Sequence, residues 1–466
     1  MDKRTLIKNV SVAFLAQGVS MLLSIVQSLI VPKLLGTEQY GYWQLFIFYI
    51  GYVGFFHLGL NDGVYLIKGG QSRDQIDRRS VNSQFVFALS FQLVMAIVIV
   101  AIAVLGGFGP EREFVIVCTG IFLVIQNAAT YLTFLLQAMN ETRLSSYSSI
   151  VERLSFLVPL LLLLTGRIHA FEPYVISYIF SSVVQLGFCL YLLRDFTKSG
   201  ILAPSQAARE GIQSIRVGIK LMLANIASQL VLGIARFAID ATWGIKTFGE
   251  LSLALSMVNF FLAFVSQASM VLFPALRQSS AQSAKHFYTV ARDAMGLAFP
   301  AVYLLYQPMT WLLGLWLPQY AHSFVFFIYL MPLCVFDSKM NITCTTFFKV
   351  RREEAVLFRI NACIALLSAL GTFLGTNVFH SIYMVIGSVV LAIIIRSLYS
   401  ESYLNRAIGV PPTSIGIWEL VLTGAFVTMT ILLPPLVATT AYLLFYVAFL
   451  VANGNRVQST YKALRT

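Results

Sequence analysis

The sequence predicts an all-α, polytopic membrane protein with about 14 transmembrane helices, and three observations support this fold class. First, 58% of the 466 residues are hydrophobic and only 11% are charged, whereas soluble domains are about 25% charged. Second, apolar runs long enough to cross a bilayer, which takes about 20 residues, recur along the whole chain. Third, a stretch near the start returns 208 positions later, which is typical of a duplicated membrane unit.

The apolar runs between polar breaks define 14 candidate spans. They cover residues 9–33, 40–67, 82–106, 114–138, 146–166, 173–193, 214–239, 248–275, 290–315, 321–347, 356–376, 380–400, 417–435 and 438–454. Near the end of the chain, Pro434 and Pro435 cannot continue a helix without a break, so they predict a tight hairpin between the last two spans.

The repeat relates residues 13–45 to residues 221–253. The positions Leu15, Ala16, Ser20, Leu22, Gly36, Gly41 and Leu45 recur as Leu223, Ala224, Ser228, Leu230, Gly244, Gly249 and Leu253. Each copy reads as an apolar helix, a Gly-x-x-x-aromatic-Gly turn and a second apolar helix. Because six spans return the chain to the same side of the membrane, the sequence predicts two parallel six-helix lobes.

These patterns divide the chain into four parts. Residues 1–195 are expected to form an N-terminal six-helix lobe, and residues 196–213 a cytoplasmic linker. Residues 214–401 are expected to form the C-terminal six-helix lobe. Residues 402–466 then add two transmembrane helices and a cytoplasmic tail that lie outside the repeat.

The distribution of Lys and Arg predicts the orientation of the chain. Of the 32 basic residues, Lys33, Arg112, Arg167 and Lys246 fall in the loops of one side, and Arg236 and Lys339 fall within spans. All others, Arg153 and Arg396 among them, are counted on the opposite side, which the positive-inside rule makes the cytoplasm. Both termini are then cytoplasmic. Since the net charge of +12 comes from short loops, it does not indicate nucleic-acid binding.

The sequence contains no pattern that predicts catalysis, a metal site or a cofactor. Its five cysteines are odd in number and widely spaced, which argues against a disulfide framework or a CxxC pair. Its five histidines show no HxxxH or HExxH spacing, and neither a Gly-rich phosphate loop nor a GxSxG motif occurs. We therefore expect the protein not to be an enzyme.

Ionisable residues inside spans are the candidate functional groups, because each costs roughly 2.5–3.5 kcal/mol at the centre of a membrane and so faces protein or water. They are Asp62 on the second span, Glu152 and Arg153 on the fifth, Arg236 and Asp240 on the seventh, and Asp337 and Lys339 on the tenth. Arg236 and Asp240 lie four residues apart on one helical face, so they could neutralise each other. Lys339 and Arg153 could instead extend to the cytoplasmic interface.

Several stretches resemble the polysaccharide (O-antigen type) flippases of the multidrug/oligosaccharidyl-lipid/polysaccharide exporter superfamily. They are NVSVAFLAQGVSMLLSIVQSLIVPKLLGTEQYGYWQL near the start, HLGLNDGV at the end of the second span, LMLANIASQLVLGIARFAID on the seventh and VLFPALRQ at the end of the eighth. The resemblance covers essentially the whole chain in topology. It implies two six-helix lobes around a central cavity, with two further helices at the end.

The resemblance implies a flippase of the bacterial inner membrane that translocates undecaprenyl-diphosphate-linked oligosaccharide repeat units by alternating access. A diphosphate-sugar headgroup cannot cross hydrocarbon unaided, so the carrier needs a hydrated, cationic cavity. Arg236, Lys339 and Arg153 are the candidates for binding the headgroup, since arginine in particular matches phosphate oxygens with two parallel hydrogen bonds. The implied partners are the lipid-linked oligosaccharide, membrane lipids and polysaccharide assembly proteins.

The main alternative is a cation-coupled exporter of drugs or small metabolites on the same fold. In that function Asp62, Asp240 or Asp337 would bind the coupling ion or proton. A membrane scaffold that transports nothing is the third class considered.

Overall fold

The computed structural model describes residue 18, residues 23–278 and residues 280–465. The predicted first span, residues 9–33, lies mostly outside this part of the chain, as does the predicted cytoplasmic N-terminus. The chain divides into two compact units, Met1–Ile226 and Ala227–Thr466. The described residues contain helices and no strand, which confirms the all-α class.

The helices of the N-terminal unit follow the predicted spans. They are α1 (Val31–Ile50), α2 (Leu60–Lys68), α3 (Arg78–Leu105), α4 (Pro110–Ala138), α5 (Thr142–Thr165), α6 (Glu172–Leu192), the short α7 (Arg194–Thr197) and the beginning of α8 (Pro204–Gln278). The predicted linker is thus helical from Pro204 onward, and the boundary between the units falls inside α8.

The C-terminal unit contains the rest of α8 and ten further helices in the described part of the chain. They are α9 (Ala281–Ala298), α10 (Tyr306–Trp316), α11 (Ala321–Leu330), α12 (Pro332–Lys339), α13 (Thr346–Val350), α14 (Glu354–Phe373), α15 (Ile382–Ile408), α16 (Ile415–Leu432), α17 (Pro435–Ala452) and α18 (Gly454–Arg465). A 3₁₀ segment, Phe299–Leu305, joins α9 to α10, and a π-helical segment, Met340–Thr345, joins α12 to α13.

Many of these helices are long and apolar enough to cross a membrane. Nine qualify within the described residues, and two bent pairs bring the number to eleven if each pair is one span. The chain is therefore a multi-pass membrane protein, and the count of 14 stays a prediction that these helices are compatible with. The predicted break at Pro434 and Pro435 is present, because α16 ends at Leu432 and α17 begins at Pro435, and the two helices pack against each other.

The two copies of the repeat break at the same residue. Gly36 has φ 71° and ψ 178° inside α1, and Gly244 has φ 82° and ψ 177° inside α8. This combination of positive φ and extended ψ is essentially confined to glycine. The predicted six-residue turn is too long, however. Gly41 and Gly249 lie buried in the helices that follow, because a single glycine takes up the whole change of direction.

The predicted second span is bent rather than straight. The segment that ends in the 3₁₀ turn Val53–His57 meets α2 at an angle of 55°. Gly59, in the left-handed region, begins α2 and packs directly on the backbone of α8. A side chain at Gly63 would collide with the backbone of Ser214, and one at Gly218 with the carbonyl of Gly59. Small residues four apart allow this close crossing of two helices.

The last two membrane helices pack into the interior of the C-terminal unit. Tyr442 donates to the carbonyl of Pro300 at 2.9 Å, and Tyr446 donates to that of Leu297 at 2.8 Å. Both carbonyls lie where α9 gives way to the 3₁₀ segment, so the tyrosines satisfy backbone groups at a helix break. Tyr303 also stacks on Phe426 of α16 with a centroid distance of 4.5 Å.

Candidate functional site

A triad of one lysine and two glutamates lies inside the C-terminal unit. Lys339, the last residue of α12, donates from Nζ to Glu419 Oε1 at 2.8 Å and to Glu419 Oε2 at 2.7 Å. The same nitrogen contacts Glu401 Oε2 on α15. Lys339, Glu401 and Glu419 keep only 1, 5 and 1% of their surface exposed. The ammonium therefore has two buried carboxylate partners on two neighbouring helices.

This geometry bears on the expectation for Lys339. Its side chain does not extend to an interface, since it is buried and is held by both carboxylates. Glu401 and Glu419 were not predicted as site residues, because they lie at the predicted ends of spans. The helix α15 continues to Ile408, eight residues past its predicted end. A signal was available, since a cation buried at depth requires counter-charges on adjacent helices.

A second ion pair lies on the same helices. Arg396 pairs with Asp337 and donates from Nη1 to Ser228 Oγ at 3.3 Å. Arg396, which the sequence analysis counts with the cytoplasmic basic residues, lies inside α15 and is 5% exposed. Its side of the membrane stays a prediction. Asp337 supplies the opposite charge, so α15 can bury Arg396 along its length. Asp337, predicted as a coupling or structural carboxylate, is thus an ion-pair partner.

Arg292 of α9 forms a third buried group near the triad. Its Nη1 donates to Asn405 Oδ1 and to the carbonyl of Pro411, both at 3.0 Å, and its Nε donates to Asp293 at 2.9 Å. Tyr288 donates to the same Asn405 Oδ1 at 3.1 Å. Arg292 is 3% exposed, so its charge is matched locally by Asp293 and by neutral oxygens.

Arg236 lies on α8 before the Gly244 break. Its guanidinium carbon is 5.0 Å from the ring centroid of Phe248, and Nη2 donates to Ser252 Oγ at 3.0 Å. Both contacts come from the part of α8 that follows the break. Asp240 is 3% exposed. The roles predicted for Arg236 and Asp240 stay predictions.

Asp62 belongs to a polar network at the bend of the N-terminal unit. Its Oδ2 lies 3.7 Å from His57 Nε2, and His57 Nδ1 accepts from the backbone of Gly59 at 2.9 Å. On the same bend, Asn127 donates to the carbonyl of Val53 at 2.9 Å. These contacts satisfy backbone groups that a straight helix would have paired internally.

Arg153 lies on α5, beside the aromatic core of the N-terminal unit. It interacts with the half-buried Tyr178 and with the neighbouring Glu152, which also contacts Ser182. Within the described part of the chain, its Nε is buried without a hydrogen-bond partner. In the aromatic core beside Arg153, Trp43 stacks on Phe156 with a centroid distance of 6.3 Å. Arg153 belongs to the N-terminal unit, whereas Arg236 and Lys339 belong to the C-terminal unit.

Apolar helices with charged groups buried among them define a polytopic membrane protein, and comparisons with known proteins give the family. The sequence model described as "Polysaccharide biosynthesis protein" matches residues 6–280. The chain belongs to this family. No curated protein sequence matches it.

Solved structures of membrane transporters share its fold. "Lipid II flippase MurJ, inward closed conformation" superposes with a TM-score of 0.64 at 12% identity, covering 96% of this chain and 99% of that one. An inward-facing multidrug resistance MATE family transporter of the MOP superfamily gives 0.60 at 14% identity, covering 84% and 94%. A MOP superfamily transporter from Pyrococcus furiosus gives 0.51 at 14% identity, covering 89% and 94%. At these identities the likeness shows the fold alone.

Proposed function

We propose that the protein is a flippase that moves undecaprenyl-diphosphate-linked oligosaccharide repeat units from the inner to the outer leaflet of the bacterial inner membrane. The observation that carries the proposal is a combination of family and fold. A member of a polysaccharide biosynthesis family has, over 96% of its length, the fold of the lipid II flippase MurJ. Surface polysaccharides need such a step, because a diphosphate-sugar headgroup cannot cross hydrocarbon unaided.

Arg236 and Arg153 are the residues proposed to bind the headgroup. Both are guanidinium groups inside predicted spans, and a guanidinium can donate two parallel hydrogen bonds to a phosphate. The Nε of Arg153 is a buried donor without a hydrogen-bond partner among the described residues, and an anion would satisfy it. Lys339 is not proposed to bind the headgroup, because its ammonium already contacts two carboxylates.

Deleting the gene in its native host tests the proposal. The deletion strain should lose surface polysaccharide and accumulate the lipid-linked repeat unit, and expression of the chain in trans should restore both. The orientation of the accumulated lipid distinguishes transport from synthesis. In the deletion strain the sugar should be protected from a lectin added outside spheroplasts and should become accessible when the chain is expressed.

The MATE-like fold supports one other function, the export of drugs or small metabolites coupled to a cation. The same strains separate the two. Unchanged surface polysaccharide together with increased drug susceptibility in the deletion strain would contradict the flippase proposal and favour the exporter. Polysaccharide assembly proteins as partners remain part of the flippase proposal.

A further inference from the structure

The triad in the C-terminal unit has one negative charge too many. When all three side chains are ionised, the single ammonium of Lys339 faces the two carboxylates of Glu401 and Glu419. None of the three is more than 5% exposed, so water does little to solvate the excess charge. An uncompensated charge in such surroundings is strongly destabilising. Two carboxylates that share one site therefore rarely ionise together.

Among the residues that the structure describes, neighbouring charges do not supply the missing positive charge. Arg292 and Arg396 are the closest candidates, but Asp293 and Asp337 respectively neutralise them. In the described part of the chain, the charged and titratable groups around the triad are Tyr288 on α9, Tyr303 on the 3₁₀ segment, Cys344 on the π-helical segment, and the two ion pairs Arg292–Asp293 on α9 and Arg396–Asp337 between α15 and α12. Because the two arginines are matched by two aspartates, the triad keeps its one excess negative charge.

Buried hydroxyl groups close to the triad residues in sequence provide a second, independent observation. Ser338, Ser397 and Ser400 are each 0% exposed, and their hydroxyl oxygens have no hydrogen-bond partner in the part of the chain that the structure describes. Ser338 precedes Lys339, and Ser397 lies one helical turn before Glu401 on the same face. A hydroxyl both donates and accepts hydrogen bonds, so these side chains are suited to a site where a proton arrives and leaves.

We infer that the triad Lys339–Glu401–Glu419 is a proton-binding site, in which one proton from water adds to a carboxylate oxygen and makes the group neutral. A proton fits better than a metal ion. Among the described residues, no group of three His, Cys, Asp or Glu is placed to hold a metal. The Lys339 ammonium also occupies the position between the carboxylates and would repel a second cation there. This inference goes beyond the proposed function and does not depend on which substrate is moved.

Infrared difference spectroscopy of the purified full-length chain in lipid nanodiscs tests this inference. The carbonyl-stretch band of a protonated, buried carboxylic acid should be present and should disappear on titration to alkaline pH. Glu419→Gln and Glu401→Gln should each abolish the band, because a lysine with one glutamate is already neutral. The matched control is Glu354→Gln at the exposed start of α14, which should leave the band unchanged.

A third variant changes the band in the opposite direction. Lys339→Met removes the cation, so both carboxylates should be protonated and the band should grow roughly twofold. Elution volume and unfolding temperature report whether each variant is folded, and either glutamine variant alone suffices for the test. A band that persists in the glutamine variants, or that is absent from the wild type at every pH, would overturn the inference.

Replacing choline by Na⁺ at constant pH separates a proton from a metal ion. The band should not change, and its loss on adding Na⁺ would show that a metal ion neutralises the triad. Because no transport is measured, failure here leaves the flippase proposal standing. Failure of the flippase proposal likewise leaves the proton site standing.

Discussion

Arg236 is a guanidinium at the position where the first copy of the repeat has Ser28. If it binds the diphosphate, Arg236→Ala should lower surface polysaccharide at least about tenfold, since a hydrogen bond to a charged group contributes about 1.5–3 kcal/mol. Arg236→Lys should restore only part of the activity, because a point charge replaces a planar fork. Immunoblots of surface polysaccharide and of the protein measure activity and abundance separately, and abundance should not change.

The opposing interpretation is that Arg236 serves only to neutralise Asp240. Removing the arginine alone would then leave a carboxylate stranded at depth and lower protein abundance. The double variant Arg236→Ala with Asp240→Ala would restore both abundance and transport. A fully active double variant therefore ends the headgroup role of Arg236. Arg359→Ala, an exposed arginine on α14, is the control and should behave like the wild type.

A second prediction concerns an ion-pair cluster outside the membrane spans. Arg73 donates to Asp195 Oδ1 at 2.7 Å, to Asp195 Oδ2 at 3.1 Å and to Glu141 Oε2 at 3.0 Å. The hydrogen bonds and charge of Arg73 hold the pKa of Asp195 below its ordinary value of 3.8. Because the folded-state pKa is the lower one, this contribution is fully present above the ordinary value and is lost as the pH falls through the folded one.

Unfolding midpoints of the purified protein between about pH 2 and pH 6 measure this contribution. The wild type should lose stability steadily towards acid pH. Asp195→Asn cannot titrate, so its acid limb should be shallower, and the two profiles should converge at the lowest pH. The control is Asp77→Asn. Asp77 caps the start of α3 by accepting from the backbone of Arg79, and it does not pair with Arg73. Parallel profiles for the wild type and Asp195→Asn would contradict the prediction.

Individual site residues were only partly predictable from the sequence. Depth within an apolar run singles out Lys339, because a charge there needs a reason. Its partner Glu419 lies 80 positions further along the chain, and no local spacing links the two. Glu401 and Arg396 were missed for a related reason. Each looks like a residue at the end of a span, and only the opposite charge on a neighbouring helix allows α15 to continue past them.

At the scale of elements, the break shared by the two repeat copies gives a prediction about Gly244. Its combination of φ and ψ costs a residue with a side chain about 1–3 kcal/mol. Gly244→Ala should therefore lower the unfolding temperature, and Gly36→Ala should do the same. Gly424 provides a matched control, because it lies in the middle of α16 with open space around it. Gly424→Ala should raise stability by about 0.5–1 kcal/mol.

Differential scanning fluorimetry of the three variants in one detergent makes the comparison. Space is not the reason for the expected loss at Gly36 and Gly244, since a side chain there would meet nothing within 4 Å. The backbone conformation alone carries the prediction. Equal or higher stability of Gly244→Ala relative to the wild type would show that this part of α8 relaxes to an ordinary helix.

Helices were the most predictable elements, and helix breaks the least. A membrane helix must present about 20 apolar residues, so composition alone separates spans from loops. Helix breaks depend instead on which side chains form hydrogen bonds with the backbone groups that the break leaves unpaired. The span predicted at residues 290–315 contains a 3₁₀ segment because Tyr442 and Tyr446, from a helix much later in the chain, satisfy its carbonyls. Nothing local to that span specifies those partners.

For the whole molecule, the repeat predicted more than any single motif did, while the orientation that the charge distribution indicates stays a prediction. The 208-residue shift pairs two glycines that adopt the same unusual backbone, which a chance similarity of apolar sequence would not require. The role of the last two helices was harder to foresee. They lie outside the repeat, yet α16 supplies Glu419 to the triad and thereby becomes part of the electrostatic balance of the C-terminal unit.

The orientation of the whole chain is the last prediction, and it rests on the count of 14 spans with both termini in the cytoplasm. Four cysteines are buried and Cys363 is exposed, so Cys363→Ser should remove the background for thiol labelling. On that background, Gly109→Cys lies between α3 and α4 and Gly454→Cys at the start of α18. Neither glycine has a positive φ, and the nearest atom to an added side chain is 3.8 Å away at Gly109 and beyond 4 Å at Gly454.

A membrane-impermeant maleimide added to cells with a permeabilised outer membrane should label position 109 and not position 454. After the inner membrane is also opened, both should be labelled, which controls for access. Labelling of both positions in intact spheroplasts would place them on the same side, and the odd and even spans would then be assigned wrongly between them.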